Sequence, residues 1–327
     1  MKNFMISVSV VLLVVLAGGF TMNGNDSNPG NPAAKAVKKK VPKSLRDRIY
    51  VWGYMIDEVP CRIPYDKQPG GTSCSLETAA NYLGVRKVIY MNSEWTPKRL
   101  DAYTNASPSV AKNLFSDKHF ERLSGFEEII CGLQHGDADN DPKSYAKSAR
   151  RISEASLRFK NIKGAIFNDF RTNAPHTFLS PEQLKEVYDN LKSCNPGLKL
   201  WLVSYDYQPP ENLVPYVKYF DVLTRWCWMP NPKYWLEDDL SIKISHLRHF
   251  LGKPIVHGLY VYPSDPLADR YMPFELFKQS FEAVAMRKTL GIIIPSSGAF
   301  HDPKRRELIQ WMKNYLDWED ATTARLE

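Results

Sequence analysis

Residues 164–170 read Gly-Ala-Ile-Phe-Asn-Asp-Phe. This is a short apolar run closed by an Asn-Asp pair, and its neighbours decide its meaning. From residue 48 onward, runs of this kind alternate with longer amphipathic segments. The alternation predicts strands at 49–56, 87–92, 127–134, 164–169, 199–205, 220–228, 254–260 and 291–295. Most are rich in Val, Ile, Leu and aromatics without strict alternation, the pattern of parallel strands buried on both faces.

The segments between them carry helix signals. Leu76, Ala79, Ala80 and Leu83 share one helical face, and Gly84 follows as a stop. Asp141-Pro142 and Ser180-Pro181 each place a capping residue before a proline at the first helical position. They open helices predicted to run to Phe159 and to about residue 195. Segments 234–251, 273–290 and 303–318 complete the predicted helices. Eight strands alternating with helices across 44–327 predict an α/β fold, a single-domain (β/α)8 barrel of the TIM type. The rival is an open doubly wound sheet, which often carries a Gly-rich phosphate turn after its first strand. Residues 57–71 hold no G-x-G-x-x-G and no P-loop lysine, so the barrel is preferred.

The amino terminus stands apart from the fold. Lys2 is followed by an apolar run at 5–16 and then by Ala17-Gly18-Gly19. The run is shorter than the roughly 20 residues of a comfortable bilayer span. Residues 1–22 therefore read as a cleaved secretory signal rather than an anchor, with a secreted or periplasmic destination and no stable membrane span afterwards. Residues 23–43 read as a disordered Lys-rich linker. This changes the meaning of the net charge of +7. Residues 1–43 hold six lysines and one aspartate, which leaves 37 basic against 35 acidic residues beyond them. A nearly neutral folded part gives no reason to expect a nucleic-acid partner.

Of the five cysteines, Cys61 and Cys74 share one predicted loop and are the expected disulfide pair. Cys131 and Cys227 fall in buried strands as small core residues. No Cys/His spacing suggests zinc, and neither metal nor cofactor is expected.

In such a barrel the strand-end residues converge on one bowl. The first strand offers Trp52, Tyr54, Asp57 and Glu58, and the second Asn92 and Glu94. The third offers His135, the fourth Asn168 and Asp169, and the fifth Ser204, Tyr205 and Asp206. Trp226, Trp228, His257 and Tyr260 end the sixth and seventh, and Ser296 and Ser297 the eighth. Sugar rings have apolar faces that lie on aromatic rings, and hydroxyls that need amides and carboxylates. Tyr54, Asn92, His135, Asn168, Tyr205, Trp226, Trp228, His257 and Tyr260 are therefore candidate carbohydrate contacts. Trp226 and Trp228 read equally as barrel core. Glycoside hydrolysis needs an acid for the leaving oxygen and a second carboxylate. Asp169 is the candidate acid, with Phe167 beside it to desolvate it, and Asp206 is the candidate partner; Glu58 and Glu94 are reserves. The bland alternatives are an Asp169–Arg171 pair and a turn residue at Asp206.

With its leader, its strand–helix alternation and F-N-D-F at the fourth strand, the chain resembles secreted (β/α)8 glycoside hydrolases. In one large clan of these, Asn followed by an acid/base Glu ends the fourth strand. Asn168-Asp169 matches that position with Asp in place of Glu. The clan's nucleophile Glu lies on the seventh strand, where this chain reads His257-Gly258-Leu259-Tyr260. The chitinase-like D-x-x-D-x-D-x-E is absent from the fourth strand, and Tyr205-Asp206-Tyr207 is similar to a Tyr-Asp pair of that group on a different strand. The resemblance implies a hydrolase of oligo- or polysaccharides, with a non-catalytic carbohydrate-binding barrel as the alternative.

One cluster lies outside that scheme. Asp137, Asp139 and Asp141 stand at alternate positions beside His135, like the start of a calcium loop. Pro142 and Ser148 occupy the places of its Gly and Glu, which excludes an EF-hand. A turn capping the helix, a non-standard metal or substrate loop, and a metal-assisted hydrolase remain as readings of it.

Overall fold

The structure is a computed structural model. It describes residues 44–53, 74–91, 117–133, 142–170, 179–227, 231–237, 240–261, 272–287, 291–295, 297–301 and 303–326. Eight parallel strands close into a barrel in chain order, with the last paired to the first. They are β1 Ile49–Gly53, β2 Lys87–Tyr90, β3 Glu128–Gly132, β4 Ile162–Phe167, β5 Lys199–Tyr205, β6 Val222–Trp226, β7 Ile255–Gly258 and β8 Gly291–Pro295. The helices around them are α1 Leu76–Leu83, α2 Asp117–Arg122, α3 Pro142–Ala155, α4 Pro181–Lys192, α5 Leu240–Leu251, α6 Phe274–Ala285 and α7 Arg306–Leu326.

The local signals act as expected at α1 and α4. Leu76, Ala79, Ala80 and Leu83 are buried, and Gly84 caps α1 at φ 67°, a left-handed turn that glycine enters without steric cost. Ser180 and Gln183 satisfy each other's backbone at the start of α4, with Pro181 at its first position. Two crossovers fall where the sequence reading named no helix. α2 is only six residues long. Between β5 and β6 the chain makes a run of tight three-residue turns at Pro210–Tyr219 with Pro215 inside it. Pro215 lies inside the run, where its missing amide removes a donor that an α-helix would need. The last helix also continues past Trp318 to Leu326.

Side chains alternate across the barrel wall. Val51, Val88, Ile129, Phe167, Leu202 and Leu223 pack outward in the helix layer. Trp52, Met91, Ile130, Ile166, Tyr205 and Trp226 fill the interior. The interior is rich in rings: Tyr50 meets Trp201 at 5.1 Å and Trp52 meets Trp226 at 5.5 Å, both edge to face. Burying one indole removes roughly 200 Å² from water, of order 5 kcal/mol. Such rings need space. A Cβ on Gly258 would lie 2.0 Å from the Trp226 ring, so glycine on β7 is the counterpart of tryptophan on β6.

The floor of the barrel, at the strand amino ends, is built from ion pairs. Lys87 reaches Glu128 at 3.6 Å and lies over the Tyr50 ring. Arg86 pairs with Glu127 at 3.2 Å, and Arg46 bonds Asp317 and Asp320 of α7. Among the described residues no helix is long and apolar enough to cross a membrane.

Candidate functional site

β4 ends at Phe167, and the chain then turns through Asn168 and Asp169. Asp169 has φ 52° and is the one described non-glycine residue with positive φ. Aspartate tolerates this left-handed geometry better than most residues, at a cost of about 1 kcal/mol. Strain of this kind concentrates at functional sites. The turn leaves the carboxylate half-buried at the carboxyl end of the barrel.

Tyr205 closes β5 and faces the interior. Its hydroxyl donates to Asp169 Oδ1, and Asn168 Nδ2 donates to Oδ2 at 3.2 Å. Burial, then neighbouring Tyr260 and Asp169, push the Tyr205 phenol well above its ordinary value, so it stays a proton donor. These are its hydrogen-bond donors among the described residues, and a carboxylate oxygen can accept a second bond.

The turn after β5 is locked to β4. The Tyr205 amide donates to Gln208 Oε1 at 2.7 Å, and Gln208 Nε2 donates to the Phe170 carbonyl at 3.1 Å. Behind the wall, buried Arg225 donates to Ser204 Oγ (2.9 Å), the Gln208 carbonyl (3.1 Å) and the Asp206 carbonyl (3.1 Å). One guanidinium thus ties β6 to the end of β5 and to the turn that follows Tyr205. Gln208 and Arg225 were not legible as site residues, because a buried arginine on a strand announces itself only through its register with a neighbour.

Of the residues expected to bind or catalyse, the structure brings Asn168, Asp169, Tyr205 and Tyr260 to one end of the barrel. Tyr260 is partly buried beside Trp226, with ring centroids 5.0 Å apart. Trp226 also points inward, but only 2% of it is exposed and its indole N–H bonds Thr224. It is barrel core, which resolves the choice left open by the sequence.

Asp206 turns elsewhere. Its amide donates to the Trp226 carbonyl at 2.7 Å, and its Oδ2 lies 3.5 Å from Cys227 Sγ. Its described contacts run towards β6 and those of Asp169 towards β5.

Two expectations need correction. His257 lies on the outward side of β7, fully buried against Tyr234 and Trp235, so it does not face the bowl. Burial, and then the Arg225 cation, push its imidazole down to about 3. Phe167 also faces outward, packed on Tyr145 and Phe170, and not against the Asp169 carboxylate.

Tyr54, Asn92, His135 and Trp228 lie outside the described residues, as do Glu58, Glu94, Arg171, Cys61 and residues 134–141. Cys74 and Cys131 are buried, and so is Cys227 just after β6. Among the described residues no three His, Cys, Asp or Glu side chains cluster as metal ligands.

No family model matches the chain, and no curated protein matches it. Solved structures do. One from Bacteroides thetaiotaomicron, provisionally assigned as an alpha-L-fucosidase, aligns with a TM-score of 0.50 at 13% identity, over 90% of this chain and 99% of that one. The catalytic domain of a family GH18 chitinase from the fern Peteris ryukyuensis gives 0.47 at 10%, over 82% and 98%. The tryptophan synthase complex of Pyrococcus furiosus gives 0.48 at 12%, over 84% and 98%. At 13% identity the first of these likenesses is one of fold alone.

Proposed function

We propose that the protein is a secreted or periplasmic glycoside hydrolase acting on an oligo- or polysaccharide, with Asp169 as general acid/base. Residues 1–22 serve as the export signal and 23–43 as a linker to the catalytic barrel at 44–327. One observation carries the reading: Asp169 sits in a left-handed turn at the carboxyl end of β4, half-open to solvent and held by the neutral donors Tyr205 and Asn168. Neutral donors fix a carboxylate without cancelling its charge, so it can take and return a proton at a leaving oxygen. Asn168 and Tyr260 supply an amide and a phenol within the same bowl.

Asp206 is the proposed second carboxylate, with Glu58 and Glu94 in reserve. A separation of about 5–5.5 Å from Asp169 fits retention at the sugar carbon, and roughly 6.5–9.5 Å fits inversion.

Asp169→Asn should lower the release of reducing ends by about 10³-fold, within the usual range for general acid–base groups. The far-UV circular dichroism should stay unchanged. Full activity of this variant on a glycan the parent cleaves sinks the assignment. A second reading, a carbohydrate-binding barrel without catalysis, is favoured by one observation: Asp206 directs its described contacts to Cys227 and β6. Glycan binding with no product from any substrate supports that reading over the first.

A further inference from the structure

We infer that Gln208 is a positioning residue for Asp169, a role that rests on the hydrolase reading above. It stands in the turn after β5, yet only 1% of it is exposed. A buried amide needs partners at both ends. Gln208 finds one on each of two chain segments. Its Oε1 accepts from the Tyr205 amide at 2.7 Å, and its Nε2 donates to the Phe170 carbonyl at 3.1 Å. A donor faces the oxygen and an acceptor faces the nitrogen, which fixes the orientation of the amide.

These two bonds close a circuit through the carboxylate. Phe170 follows Asp169 in the chain, and Tyr205 donates its hydroxyl to Asp169 Oδ1. Gln208 therefore joins the segment that carries the aspartate to the residue that holds its side chain. The aspartate is gripped from its backbone and its carboxylate at once. This matters because Asp169 has φ 52°, and a left-handed turn at a non-glycine residue persists only when its surroundings over-determine it. Gln208 has little freedom of its own. Its amide donates to the Tyr205 carbonyl at 2.9 Å, and its carbonyl accepts from Arg225 at 3.1 Å. The Phe170 ring is packed on Phe167 and Tyr216, with centroids 5.3 and 5.1 Å away. The chemistry also demands an amide of this length. Ionised glutamate offers acceptors only, and methionine has the length without the donor.

The test uses the full-length protein in two backgrounds, the parent and Tyr205→Phe. Reducing ends are measured from the hexasaccharides of β-1,4-linked glucose, xylose and N-acetylglucosamine, and the fastest substrate is kept. Gln208→Met should lower kcat about tenfold in the parent, with KM changed less than about twofold. In the Tyr205→Phe background it should lower kcat less than about threefold, because both changes open the same circuit. Equal losses in the two backgrounds overturn the positioning role and leave the hydrolase reading standing. No turnover of any of the three by the parent overturns both. A second readout needs no sugar. The Tyr205 hydroxyl proton, buried on a carboxylate, should give a proton NMR line downfield of the amides that Tyr205→Phe removes. Gln208→Met should shift or erase that line with the far-UV circular dichroism unchanged. An unmoved line, or none in the parent, overturns the positioning role. Should the Met variant fail to fold, Gln208→Glu takes its place in both measurements, since it keeps the acceptor for Tyr205 and loses the donor for Phe170.

Discussion

The two ends of the barrel treat their carboxylates differently. On the floor, Glu127, Glu128, Asp317 and Asp320 all pair with lysine or arginine. Hydrogen bonds from Lys313 and Arg46 hold the Asp317 carboxyl below its ordinary range. At the rim, among the described residues, Asp169 is met by a phenol and an amide, while Arg225 is turned behind the wall to hold backbone carbonyls. An ion-paired acid is neutralised and largely structural, whereas an acid held by neutral donors keeps its charge for something else. Among the described residues, the rim carboxylate is thus held by neutral groups and those of the floor by cations.

Substitutions can break that contrast or sharpen it, and Asp169→Asn heads the scale. Next comes Arg225→Met, which leaves the carbonyls of Asp206 and Gln208 without their buried donor. It should cost about 3 kcal/mol in denaturant unfolding, the scale for stranded buried polar groups. A loss under about 1 kcal/mol would mean that the bracket behind the wall is dispensable.

His257 gives a pH test of the same region. It is buried neutral when folded, with a value near 3 against an ordinary 6.5. The unfolded chain takes up the proton first as pH falls, so stability is full above about 6.5 and drains away towards 3. The loss should reach about 3 kcal/mol by pH 4. His257→Leu should flatten this slope in urea titrations at pH 7 and pH 4. An equal acid slope in that variant removes His257 as the cause.

Smaller again, Tyr205→Phe removes the phenol donor while keeping the ring. It should lower kcat about tenfold with KM little changed. A rise in KM alone would recast Tyr205 as a substrate contact. Glu127→Gln on the floor is the smallest: it opens a surface pair with Arg86 and should shift stability by under about 0.5 kcal/mol and leave activity alone.

The sequence made the barrel legible because β5 and β8 are continuous apolar runs with clear ends, and their predicted bounds match. It hid the β5–β6 crossover, because proline breaks the 3.6-residue period without abolishing a turn-by-turn path. Asp169 was legible as a polar pair closing an apolar strand. Its bond to Tyr205 was not, because register between strands 36 residues apart is set by closure of the whole barrel. His257 was misplaced for a related reason. Parallel strands are apolar on both faces, so the Ile-Val-His-Gly run carries no mark of which parity faces in.

Gly258 and Trp226 give the molecule a historical constraint. A carboxylate at position 258 would have to occupy the volume the indole now fills, since even a methyl group there collides with it. Neither residue can drift alone: a side chain at 258 requires a smaller neighbour at 226 first, and a smaller residue at 226 opens a hole in the core. A stepwise route to an acid at position 258 therefore passes through a poorly packed intermediate. An engineer can avoid that intermediate by changing both positions in a single step.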